Sequence, residues 1–245
     1  MALACEKING WRDPHPVTES SRVMDATEQR TFSSIASKVL MALAGVFLLV
    51  FLAVHLGINM LLLVDDGGKA FSAAAGFMGT HPVIRIFELA LFGGILLHIA
   101  FGVAVSIRNR MSRPIRYQHQ SRSETSPFSK YMLHSGMIVL LFLALHFVDF
   151  YFIKIGITAP PPGVERHDFY SRAVLLFSDQ TYSAIYLVSL LALGFHLNHA
   201  LQAAMQTLGL NHPRFTPLIK AASALYAMII AGGFMAIPLR FTLFN

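Results

Sequence analysis

The sequence predicts an all-α integral membrane protein, a bundle of five transmembrane helices, and three observations lead there. Of its 245 residues, 55% are hydrophobic and only 13% are charged, with a mean hydropathy of +0.57, well above that of an average soluble domain. Five apolar runs are each long enough to cross a hydrocarbon core, which takes about 20 residues at ~1.5 Å each. The basic residues cluster between those runs, where they orient a membrane protein.

Taken in order, residues 1–32 form a polar segment containing Glu6, Asp13, Pro14, Pro16, Glu19, Asp25 and Glu28. With no apolar h-region it does not read as a signal peptide, and it is expected to stay in the cytoplasm. One membrane domain is expected over 33–245, with helices near 38–64, 83–107, 131–155, 182–208 and 217–239. Glycine and proline within these runs are tolerable because neighbouring helices satisfy freed backbone groups.

The connection between the second and third runs carries Arg108, Arg110, Arg113, Arg116, Arg122 and Lys130 against Glu124 alone. The first and third connections mix their charges. Lysine and arginine stay cytoplasmic, so the second and fourth connections are expected inside the cell, and five crossings leave the C-terminus outside the inner membrane. The net charge of +6 and pI near 9.7 therefore point to lipid and topology, and not to nucleic acid. The single cysteine, Cys5, excludes a disulfide framework and any cysteine-held iron–sulfur or zinc site within the chain.

A weak internal repeat relates LLVFLAVHL, ending at Leu56, to VLLFLALHF, ending at Phe147. Each contains a histidine with a glycine ten residues before it, Gly45 before His55 and Gly136 before His146. Chance similarity between Leu-rich helices is the competing explanation, and the shared spacing weighs against it.

Four histidines, His55, His98, His146 and His196, lie on four different apolar runs. One imidazole in a membrane helix can simply bond a neighbouring carbonyl. Four on four helices is a stronger signal, since polar groups at this depth are costly and usually functional. At ~1.5 Å per residue, His55 and His146 lie past the midpoints of outward-running helices, and His98 and His196 past the midpoints of inward-running ones. Level-matching pairs His55 with His146 on an outer iron and His98 with His196 on an inner iron. Two stacked bis-histidine sites suit two b haems and electron transfer, bound non-covalently because no C-x-x-C-H motif is present.

Gly45 and Gly136 fall about 15 Å inward of the outer ligands, at the inner level, where a bare helix gives a flat porphyrin clearance. Gly102, four residues after His98, is a third such candidate, and helix packing by small residues competes at each. His199 follows His196 by three residues and matches it on spacing alone. His15, His81, His119, His134, His167 and His212 read as non-ligands near helix ends, in connections or in polar segments.

Glu88 is open to two readings: a quinone or proton group near the outer site, or a first-turn glutamate that favours the helix dipole and pairs with Arg85. Lys38 and Arg108, at cytoplasmic helix ends, read either as contacts to haem propionates or as snorkelling, orientation-setting cations.

The segments KVLMALAGVFLLVFLAVHLGIN, FELALFGGILLHIAFG, LALHF and GFHLNHALQAAMQTLGL, in a five-helix layout, resemble the dihaem cytochrome b subunit of succinate dehydrogenases and fumarate reductases. The likeness covers about residues 33–240. The resemblance implies axial ligands paired first helix with third and second with fourth, which favours His196 over His199. It implies a partner flavoprotein where succinate and fumarate interconvert, an iron–sulfur subunit between it and the haems, and a membrane quinone, usually menaquinone, as the electron partner. The chain would be the anchor of complex II, a subunit of an enzyme and not a catalyst alone. Some fumarate reductases of this type carry a glutamate two residues before the fourth-helix ligand. That position here is Gly194, which favours succinate oxidation with quinone reduction.

The rival readings are a cytochrome b subunit of a hydrogenase or formate dehydrogenase, a transporter with histidines in a proton path, and a structural anchor with vestigial histidines. Co-purifying subunits separate the first, and haem absorption bands the other two.

Overall fold

The computed structural model describes residues 19–111 and 131–244, with side chains described from Ile35 onward except at Arg110. The described residues are helical or in turns, with no strand among them. Helix α1 (Glu19–Asn59) begins in the polar stretch and runs on into a 3₁₀ turn, Met60–Leu63. There follow α2 (Lys69–Thr80), α3 (Pro82–Met111), α4 (Met132–His146), α5 (Phe169–Ser178), α6 (Gln180–Thr207) and α7 (Thr216–Leu243). Helix α4 continues through a π-helical turn, Phe147–Tyr151, into a last turn ending at Lys154. The chain divides into two units between Ala36 and Ser37, and the helical bundle is the second of them.

Among the described residues, five helices are long and apolar enough to span a membrane: Ile35–Leu63, Pro82–Asn109, Met132–Lys154, Gln180–Thr207 and Thr216–Leu243. Because spans alternate in direction, the connections at 64–81 and 155–179 fall at one end of the bundle. There the short helices α2 and α5 contact each other and make that end the capped end.

Local chemistry fixes where these pieces start. Asp66 accepts from the backbone N–H groups of Lys69 and Ala70, at 3.0 and 2.7 Å, supplying partners that the first turn of α2 lacks. Asp168 accepts from Ser171 N–H at 3.0 Å to open α5. Asp179 accepts from Thr181 and Tyr182 N–H to open α6. Gly68, which precedes α2, has φ of +80°, and a Cβ there would lie 2.3 Å from the Tyr170 ring, so only glycine lets α2 and α5 approach this closely.

The core has two parts. In the middle of the bundle, Leu49 and Leu56 of α1 meet Leu190, Leu193 and Leu197 of α6 and Ala227 and Ile230 of α7. At the capped end, Leu62, Phe71, Ala173, Phe177, Tyr186, Ile237 and Phe241 bring α2 and α5 down onto α6 and α7. Helices α6 and α7 pack against each other extensively. They approach closely because Gly194 faces Ala231, where a Cβ would sit 3.0 Å from the alanine methyl. Pro238 is fully buried inside α7 without ending it, as membrane helices allow.

Candidate functional site

The four intramembrane histidines meet in two pairs. The rings of His55 on α1 and His146 on α4 have centres 6.0 Å apart, with planes at 79°. The rings of His98 on α3 and His196 on α6 have centres 6.5 Å apart, with planes at 83°. All four are partly buried. The two pairs sit at different levels. A Cβ on Gly45, ten residues before His55, would lie 3.4 Å from the His98 ring, so the levels differ by about 15 Å along α1.

The same relation recurs on the other helix pair. A Cβ on Gly136, ten residues before His146, would lie 3.3 Å from the His196 ring. Gly45 thus stands to His98 as Gly136 stands to His196, and the weak sequence repeat has a spatial counterpart. At Gly102 a Cβ would meet nothing within 4 Å.

The ring nitrogens have unequal surroundings. Ser135 Oγ donates to the Met132 carbonyl at 2.9 Å and lies 3.2 Å from His196 Nδ1. Its one hydrogen is committed to the carbonyl, so the hydroxyl accepts from Nδ1–H and leaves Nε2 of His196 with a free lone pair. Asn59 Nδ2 donates to the His55 carbonyl at 2.8 Å and stands 3.3 Å from His55 Nδ1. The Nδ1 atoms of His98 and His146 are buried without a hydrogen-bond partner. Around the His55–His146 pair stand Phe51 and Phe234 beside His55, and Phe142 and Phe150 beside His146, with ring centres 5.2–6.0 Å away.

Two imidazoles that bind one metal from opposite sides, each at about 2 Å, have ring centres roughly 6 Å apart. Both pairs have that separation. Among the described residues no group of three or more His, Cys, Asp or Glu side chains gathers to hold a metal ion. Two imidazoles at that separation can hold a metal that brings its own equatorial ligands, as iron in a porphyrin does.

His199 is partly buried beside His196 on α6, but the ring opposite His98 belongs to His196. His134, His167 and His212 are exposed, and His81 packs against Phe77 at 5.0 Å. His15 and His119 lie outside the described residues. Lys38 and Arg108 are exposed at the end opposite the caps.

The Glu88 carboxylate meets Lys154 at the end of α4, at 2.9 Å, and the Tyr151 hydroxyl, where one of the two sequence readings offered Arg85. The reason is topological: antiparallel neighbours α3 and α4 bring residues 66 positions apart to one depth. Each side chain of the pair is about a quarter exposed, so the bond ties the two helix ends together weakly, at ~0–1 kcal/mol.

Sequence reasoning missed a polar cluster at the capped end. Asp149, in the π turn just beyond His146, is buried and accepts from Tyr186 Oη at 2.6 Å. Arg172 of α5 is also buried, donating to the Arg166 carbonyl at 2.7 Å and to those of Phe150 and Glu165 at 3.4 Å, with Phe169 against its guanidinium. Burial pushes Arg172 below the usual guanidinium range, with Asp168 opposing. The signal for Asp149 was available, because a carboxylate inside an apolar run reads as functional on the same grounds as Glu88.

Comparisons with known protein families, curated proteins and solved structures return no match for this chain.

Proposed function

We propose that this chain is the dihaem cytochrome b anchor of a succinate:quinone oxidoreductase. In this reading it carries electrons between an iron–sulfur subunit on the cytoplasmic face and a membrane quinone, which for dihaem anchors is usually menaquinone. The observation that carries the proposal is the meeting of four imidazoles, from four helices, as two pairs at two levels. Ring-centre separations of 6.0 and 6.5 Å suit bis-histidine ligation, and glycines flank both rings of one pair.

The residues divide the work simply. His55 with His146, and His98 with His196, would each hold one haem iron. Ser135 sets the His196 tautomer, so that Nε2 faces outward as the ligand. Gly45 and Gly136 leave the second pair room on both sides. Bound haem supplies reversible one-electron transfer, and a ligand set with two protein imidazoles leaves no open position for oxygen.

Gly194 supports the direction of succinate oxidation. It brings no carboxylate to the position that holds a glutamate in some fumarate reductases, and a Cβ there would already press the Ala231 methyl at 3.0 Å.

Purification in mild detergent, with haem and flavin quantified together, tests the reading. Two b haems per chain and one co-purifying covalent or tightly bound flavin are expected. One haem or none would end the haem assignment, and a nickel or molybdenum partner would replace the succinate assignment with another dehydrogenase.

A further inference from the structure

The two histidine pairs differ in what stands beside their Nδ1 atoms. In each pair one Nδ1 has a polar neighbour, and the other, on His98 or His146, is buried without one. At His196 the neighbour is the Ser135 hydroxyl, which accepts from Nδ1–H. At His55 it is the side-chain amide of Asn59, and the sense of the contact is reversed.

The geometry around Asn59 fixes that sense. Helix α1 ends at Asn59 and gives way to the 3₁₀ turn, and there the amide folds back by one turn onto His55. The amide atom 2.8 Å from the His55 carbonyl must be the nitrogen, because an oxygen there would set two acceptors against each other. That same nitrogen stands 3.3 Å from His55 Nδ1. An NH₂ group only donates, so Nδ1 accepts, and a neutral imidazole accepting at Nδ1 carries its hydrogen on Nε2. Phe51 stacks on the ring with planes at 14°, and Phe234 packs beside it. These aromatic walls hold the ring plane, which leaves Asn59 to decide the tautomer.

Nε2 is the nitrogen farther from the backbone, and it needs a free lone pair to bind iron. Ser135 gives His196 that lone pair, and Asn59 gives His55 an N–H in its place.

We propose that Asn59 is a positioning residue that holds His55 in the tautomer that does not bind iron, so that the His98–His196 pair takes haem before the His55–His146 pair. The proposal rests on the electron-transfer reading and adds an order of assembly to it. When His55 ligates, one iron–nitrogen bond forms at Nε2 and the single ring hydrogen passes to Nδ1, with no electron transferred. The Asn59 amide must then release the His55 carbonyl and turn its oxygen toward Nδ1–H. Giving up one such hydrogen bond costs the outer site about tenfold in affinity.

The test uses the full chain in membranes from haem-starved cells. With isotope-labelled histidine nitrogens, magnetic resonance should show the His55 signal, identified by its loss in His55→Ala, protonated at Nε2. Stepwise addition of haemin should fill first the spectral component that His98→Ala deletes, and then the one that His55→Ala deletes. Asn59→Leu removes the donor, and Asn59→Asp offers Nδ1–H an acceptor. Each should raise haemin affinity at the outer site by about tenfold and leave the inner site unchanged. A purely structural Asn59 would lower thermal stability in both variants without raising that affinity, and this result would overturn the proposal. So would an outer component that fills first, or a His55 protonated at Nδ1. The nitrogen spectrum of the unsubstituted chain keeps the test decisive where a variant fails to fold. A chain that takes no haem in any form ends the electron-transfer reading, whereas two haems with His55 protonated at Nδ1 ends this inference alone.

Discussion

The Ser135 hydroxyl has one hydrogen, and the Met132 carbonyl takes it. What remains toward His196 is a lone pair, which holds the imidazole with Nδ1 protonated. Second partners of this kind orient ligating histidines and are worth ~10–100-fold in metal affinity. Ser135→Ala should therefore leave the fold intact and loosen one haem only, by roughly that factor, measured by haem retention under dilution in detergent. The four histidines themselves divide by pair. His98→Ala and His196→Ala should each delete one spectral component, His55→Ala and His146→Ala the other, and His199→Ala neither. Deletion of the same component by His55→Ala and His98→Ala would contradict the pairing. Gly136→Leu should behave like His196→Ala in the reduced-minus-oxidised spectrum, because even a Cβ there would press the ring at 3.3 Å. The residues of these pairs were legible in the sequence because an imidazole in an apolar run is conspicuous, and depth along a helix follows from counting. Ser135 was not, since a serine in a membrane helix more often bonds its own preceding turn, as it also does here.

Among the elements, the long helices were readable and the short ones were not. Five runs stand out because crossing lipid demands length and uninterrupted apolarity together. Helices α2 and α5 have 12 and 10 residues, with polar groups on one face, and nothing in their composition separates them from ordinary connections. Their starts are set by single carboxylates. Asp168 is the sharper test, because its hydrogen bonds from Ser171 hold its carboxyl below the usual range. A carboxyl with a depressed folded-state pKa contributes fully above its unfolded value, near 3.9, and loses that contribution as the pH falls through the folded value. Amide exchange in the first turn of α5 should therefore be slow at neutral pH and accelerate in acid below about pH 4. Asp168→Ala should remove the acid step and loosen the turn by about 1 kcal/mol at neutral pH. The π turn at Phe147–Tyr151 was equally invisible in the sequence. One extra residue there turns Asp149 toward Tyr186, and insertions of this type recur at functional sites.

For the whole molecule, charge placement predicts an orientation that the fold by itself leaves open: the 108–130 connection inside and the C-terminus outside. A cysteine introduced near Thr242, at the exposed Phe244, with Cys5 replaced, should react with an impermeant maleimide added to intact cells, and protection there would reverse the topology. Packing across the bundle is uneven. Two-fifths of the most apolar window of α7 is buried by protein, 39%, and none of that of α3. Helix α3 nonetheless supplies His98, and it touches α1 and α4 at Phe47 and Phe147 through Gly94 and Phe92. This unevenness has a consequence for biogenesis. The α6–α7 hairpin can mature as soon as it enters the bilayer, since its two helices pack directly on each other and are tied by a hydrogen bond from Thr242 to Ser183. In the proposed reading, the second span has little protein surface to hold it until haem fills the His98–His196 site. Cells starved of haem should accumulate a chain whose segment 82–111 is cut by protease while 180–243 resists, and haem resupply should restore protection to the second span last.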